Sequence, residues 1–357
     1  MTTYFPGPSK VYDRLGEYLQ DALAAGVPSI SHRGAAFVDI SRRAIRATKQ
    51  KLGVPDDYTM LFVSSATESW EIIAQSLLRA RSLHVYGGSF GERWFQYTRA
   101  LHEGALPYVL EPDEEVPVTR LPVDTATELI GITQNETSNG TQVRPAVIRA
   151  LRDAYPHALL AVDATSAMAG VATDYTTADV WYASVQKCFG LPAGLAVMFC
   201  SPRAVARAHE INERDRYNSL TAMLAQIDKW QTTYTPNVLG IYLLMRVMED
   251  APDIRTTDER LKRRAADLYA RVAQRDDLAP LIANAAVRSD TVVTVRADPQ
   301  VVAHFKGEAL AAGLLLGNGY GPLKDSTFRI ANFPAHTDTE MAAVGLFLTE
   351  APTLTKV

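Results

Sequence analysis

The feature that most constrains this chain is a regular alternation, from about residue 39 to 215, of short uninterrupted apolar runs with longer stretches of helical periodicity. Runs such as TMLFV within Tyr58–Val63 are too short for helices and lack polar alternates, which is how strands buried on both faces read. Asp39 is a candidate N-cap for a helix running to Leu52, stopped by Gly53 and Pro55. Strands follow at 58–63, 82–86 and 106–110, separated by helices at 67–79 and 90–103. The pattern continues with strand 128–133, helix 144–154, strands 158–163, 179–183 and 194–200, and a helix from Pro202. Seven apolar runs in such an alternation predict an α/β unit with a mainly parallel seven-stranded sheet covered by helices on both faces.

Beyond residue 215 the pattern changes. Helical periodicity dominates 220–275, and then VVTV at 292–295 and TFRI at 327–330 alternate with helices at 299–312 and 338–349. This predicts a smaller α+β unit, so the 357 residues divide into a large domain over 15–235 and a small one over 236–357 joined by residues 1–14. The Pro112–Pro117 stretch reads as a solvated connection.

Composition excludes several classes of function. Thirty-six Lys and Arg against forty Asp and Glu give a net charge of -4, without the basic excess of a nucleic-acid binder. Two cysteines, Cys188 and Cys200, make neither a disulfide scaffold nor a structural zinc site, and no metal is expected. A reducing, cytoplasmic setting fits them best. The run Cys188–Cys200 has thirteen residues interrupted by a proline and two glycines, whereas a membrane helix needs ~20. No secretory signal is legible at the N-terminus.

In an open parallel sheet, ligands bind beyond the carboxyl ends of the strands. The run 58–63 empties into Ser64, Ser65, Ala66 and Thr67 at a helix start, where free N–H groups and the helix dipole suit a phosphate. Any Ser-Thr helix cap has the same look. Strand 158–163 ends in Asp163, and strand 179–183 is followed by Gln186 and Lys187. A partly desolvated lysine loses basicity and becomes a nucleophile able to form a Schiff base with an aldehyde. A structural ion pair between Asp163 and Lys187 explains the same spacing.

At these residues the chain resembles a known family. Asp163 in AVDATSAMAG and Lys187 in SVQKCFG are similar to the Asp and Lys of fold-type I pyridoxal phosphate enzymes, specifically the class V aminotransferases. Within that group SISHRGAAF (29–37), QNETSNG (134–140), SVQKCFG (184–190) and YTPN (234–237) resemble the phosphoserine aminotransferases. The likeness runs from PGPSK near the start to FRIAN at 328–332.

The resemblance implies a fold-type I architecture, pyridoxal 5'-phosphate as cofactor, and ping-pong transamination through Lys187. It assigns Lys187 the covalent link and the proton shuttle, and Asp163 the pyridine nitrogen. Phe90 would stack on the cofactor ring, Thr137 would bond its phenolic oxygen, and Ala66, Thr67 and Gln186 would hold its phosphate. Thr235 would reach that phosphate from a second subunit, making a homodimer with sites at the interface. Arg329 would clamp the substrate α-carboxylate, while His32 and Arg33 would meet the distal carboxylate or phosphate. The implied reaction converts 3-phosphohydroxypyruvate and L-glutamate to O-phospho-L-serine and 2-oxoglutarate, in serine biosynthesis. One departure leaves an alternative open. Ahead of Arg329 stands GYGPLKD, which offers only Lys324 as a cation and resembles the alanine/serine-glyoxylate aminotransferase branch. A pyridoxal phosphate lyase or desulfurase is a further alternative, set back by the placement of both cysteines near Lys187.

Overall fold

The computed structural model describes residues 1–352. A seven-stranded sheet lies at the centre of the larger part. Its order from one edge is Thr59–Val63, Ala196–Cys200, Val180–Ser184, Leu159–Asp163, Leu129–Thr133, Arg81–Tyr86 and Gly104–Val109. Only Ala196–Cys200 runs antiparallel to its neighbours. The five residues of Leu129–Thr133, Leu159–Asp163, Val180–Ser184 and Ala196–Cys200 are all buried, because helices cover both faces of the sheet.

Local chemistry sets the helix ends. Ser65 accepts the Glu68 N–H to start Ala66–Leu77, and Ser201 with Pro202 starts Pro202–Ile211. Thr337 and Glu340 form a reciprocal capping box on Asp338–Glu350. One expectation is corrected: the second helix begins at Ala35, not after Asp39. Gly34 occupies its N-cap, Ala35 and Ala36 extend the helix a turn earlier, and Asp39 sits inside it bonded to Arg42 at 2.7 Å.

A second sheet of five strands takes the order Thr2–Tyr4, Leu314–Asn318, Thr327–Ala331, Val292–Arg296 and Ala279–Pro280. The chain's first residues thus pair, in parallel, with a strand near its end. A separate apolar core under this sheet includes Tyr4, Phe305, Phe328 and Val344. Val238–Asp250 belongs instead to the large core, where it packs along Ala35–Leu52. Asn135, just after a strand of the large sheet, donates to the hydroxyls of Ser289 (3.0 Å) and Thr291 (2.8 Å), joining the two units beside the cavity described next. No helix among the described residues is long and apolar enough to cross a membrane.

Candidate active site

A cavity of about 340 Å³ opens at the carboxyl ends of the parallel strands and is closed on the far side by Arg329 and Tyr320 of the second unit. That is the size of a small-molecule or cofactor site. Phe90, Thr137, Asp163, Lys187 and Arg329 all line it. So do Ala66, Thr67 and Gln186.

Lys187 is 6% exposed and has no carboxylate within 4 Å among the described residues. Its Nζ donates instead to the hydroxyls of Thr137 (2.6 Å) and Ser166 (3.0 Å). The structural ion pair is therefore absent, and two neutral oxygens hold the amine in place. Burial pulls Lys187 down to about 8, with Asp163 and Glu136 opposing the shift. The amine thus keeps a substantial nucleophilic fraction near neutral pH. The Phe90 ring lies 5.1 Å from Nζ. The backbone of Gly7 comes so close that a Cβ there would sit 3.0 Å from Lys187 Cε.

Asp163 is 4% exposed. Its Oδ1 accepts the Thr165 N–H at 2.9 Å, and burial pushes the carboxyl up, opposed by Thr165 and by the charge of Lys187. A carboxylate so placed gains from a cation brought into the cavity.

Arg329 is 8% exposed. Nε donates to the Asn318 carbonyl and Nη1 to the Thr137 carbonyl, both at 2.7 Å, which fixes the guanidinium plane. Nη2 makes no hydrogen bond within the described residues. Burial pulls this arginine down to about 10. An anion is the natural partner of a buried, fixed guanidinium with an edge to spare.

At the helix start the Ala66 N–H is already donated to Ser184 Oγ at 2.8 Å. The Thr67 N–H is left as the free donor of that turn, with Gln186 beside it, whose Oε1 is buried without a partner. Four expected residues lie outside this chain's own cavity lining. Thr235 and Lys324 are exposed. Arg33 is exposed and bonds Gln226 (3.1 Å) and Gln231 (2.8 Å), and His32 packs edge-on against Phe37.

Sequence reasoning missed Ser166, Ser184, Glu136 and Tyr320. Ser166 stands three residues past Asp163 in the same turn, and Glu136 sits inside the QNETSNG segment, so their neighbourhood was marked although their roles were not.

These residues fit pyridoxal phosphate. An unpaired buried lysine, a buried carboxylate without a cation, a free helix-start N–H and an aromatic ring beside the amine are what an aldehyde, a ring nitrogen, a phosphate and a planar ring respectively require. The fold and this site define a fold-type I pyridoxal-phosphate-dependent enzyme. The family model described as "Aminotransferase class-V" matches residues 5–87 and 114–313. The chain belongs to the class V aminotransferases, which use pyridoxal 5'-phosphate.

A phosphoserine aminotransferase of Rhodococcus opacus is 29% identical over 351 residues, covering 92% of this chain and 89% of the relative. One from Corynebacterium glutamicum is 29% identical over 349 residues, with 94% and 90% covered. The crystal structure of a phosphoserine aminotransferase from Cytophaga hutchinsonii superposes with a TM-score of 0.93 at 29% identity and covers 98% of both chains.

Proposed function

We propose that this enzyme transfers the amino group of L-glutamate to 3-phosphohydroxypyruvate, giving O-phospho-L-serine and 2-oxoglutarate, a step of serine biosynthesis. The observation that carries the chemistry is Lys187: buried, partly deprotonated near neutral pH, and held by Thr137 and Ser166 instead of a carboxylate. Likeness over nearly the whole chain to phosphoserine aminotransferases supports the substrate.

Bound in the cavity, the cofactor supplies an electrophilic carbonyl for the amino group and a sink for the electrons of the Cα–H bond. Asp163 would hold its ring nitrogen, Phe90 its ring face, Thr137 its phenolic oxygen, and Thr67 with Gln186 its phosphate. Ala66 contributes by shaping the turn. Arg329 binds the substrate α-carboxylate through its free edge and thereby orients the Cα–H bond. Lys187 Nζ takes the proton from Cα and returns a proton on the other side of the transfer, a role its lowered basicity suits. The closely packed Gly7 and Phe90 limit water around that nitrogen.

Thr235, His32 and Arg33 lie away from this chain's own cavity, which supports a two-fold homodimer in which they serve the second copy's site. The two buried, unpaired thiols support a cytoplasmic setting. A second reading, an alanine/serine-glyoxylate type of donor preference, is favoured by the GYGPLKD segment ahead of Arg329, whose one cation, Lys324, is exposed and outside the cavity lining. A comparison of kcat/KM for O-phospho-L-serine with L-alanine and L-serine separates the two. We expect a preference for the phosphorylated donor, and a large preference for either unphosphorylated one rejects the first reading.

A further inference from the structure

Glu136 is a buried carboxylate, 3% exposed, that none of the roles above uses. Its Oε1 accepts the Ser138 N–H at 2.9 Å and the Ser138 hydroxyl at 2.7 Å. Its Oε2 accepts the N–H groups of Phe90 and Gly91, each at 3.2 Å. Each oxygen thus has two donors; burial pushes the carboxyl up, opposed by the bonds from Ser138 and Gly91 and by the charge of Lys187. Ser138 Oγ in turn accepts the Ser89 N–H at 3.1 Å. Gly88 makes the approach possible, since a Cβ there would sit 2.3 Å from Glu136 Cγ.

Two parts of the active site hang on this contact. The bonded amides belong to the first turn of Ser89–Leu101, where the helix dipole also favours the charge, and that turn carries Phe90. The residue after Glu136 is Thr137, whose hydroxyl receives the Lys187 amine and whose carbonyl receives Arg329. We propose that Glu136 is a positioning residue: it locks the Phe90 turn to the Glu136–Ser138 turn, so that the stacking ring and the Thr137 hydroxyl keep a fixed separation around Lys187. Because Phe90 would take the cofactor's ring face and Thr137 its phenolic oxygen, the carboxylate would set the fit of the ring without touching it.

The inference rests on the pyridoxal phosphate reading above. Its test is Glu136→Gln, which keeps the shape but turns one oxygen into an NH2 facing two donors, alongside the milder Ser138→Ala. Purified holoenzymes are compared by thermal unfolding, by absorbance and circular dichroism in the visible cofactor band, and by cofactor retention on dilution. We expect Glu136→Gln to bind the cofactor roughly tenfold more weakly, as loss of buried charge-assisted hydrogen bonds implies, and to alter the sign or intensity of the visible dichroism. In steady state kcat should fall more than the KM for the amino donor changes. If Glu136→Gln does not fold, Ser138→Ala is expected to show the same spectral change at smaller amplitude. Dichroism and retention equal to the parent's in the variant that folds overturn the proposal. Failure of the parent chain to show any cofactor band overturns the cofactor reading itself, whereas a wrong substrate leaves these readouts unaffected.

Discussion

At the scale of the residue, the site depends on how burial changes the charge of a few groups. In the folded, cofactor-free chain burial pulls Lys187 from 10.5 down to about 8. Between those values the unfolded chain holds the extra proton, so this residue's contribution to stability rises with pH through that window. Below pH 8 burial of the ammonium costs on the order of 3 kcal/mol. Lys187→Met is therefore expected to stabilise the cofactor-free protein below pH 8, with the gain shrinking toward pH 10. Urea denaturation at pH 7 and pH 10 measures this, and a pH-independent difference contradicts it. Arg329→Lys keeps a charge but loses the fixed fork, so kcat/KM for the amino donor should fall roughly 10- to 150-fold, as expected for charged hydrogen bonds. An unchanged kcat/KM argues against the carboxylate clamp.

At the scale of the element, the site is assembled from the ends of strands and the first turns of helices. Most strands of the large sheet are legible because they are short apolar runs buried on both faces, so their pattern owes little to distant partners; the edge strand Gly104–Val109 is only partly buried. Thr2–Tyr4 is not legible in the sequence because it exists through pairing with Leu314–Asn318 across the length of the chain. The same limit applies within the site. Lys187 and Asp163 stand out as charges after apolar runs, but Ser166 and Ser184 are ordinary residues until the fold brings them to Lys187 and the Ala66 N–H. Arg33 and Lys324 stand out by motif but lie outside this chain's cavity lining: Arg33 is bonded to Gln226 and Gln231, and Lys324 is exposed although Tyr320 of the same segment lines the cavity. Gly88→Ala places a methyl group against the buried side chains of Glu136 and Ser138 and should destabilise by about 1–3 kcal/mol. Calorimetry that finds the alanine variant as stable as the parent contradicts the packing described.

At the scale of the molecule, the cavity lies between two units tied by Asn135 to Ser289 and Thr291 and by Arg329 to Thr137. A shift of one unit on the other moves the carboxylate clamp relative to the lysine. The proposed dimer adds a second requirement, because Arg33 and Thr235 would then complete the neighbouring site. Mixing Lys187→Ala with Arg33→Ala subunits under exchange should regain activity that neither variant has, up to about a quarter of the parent's for random pairing with one intact site per mixed dimer. No recovery, with exchange verified by mass, argues against a shared site.

If Lys187 is the lysine of an aminotransferase, one half-reaction reveals it. Mixing the parent holoenzyme with excess L-glutamate, in the absence of an oxo acid, tests it in a single half-reaction. The expected result is a shift of the visible cofactor band to shorter wavelength with one 2-oxoglutarate released per subunit, and neither event in Lys187→Ala. An unshifted band with no 2-oxoglutarate from the parent, or an unimpaired half-reaction in Lys187→Ala, contradicts it.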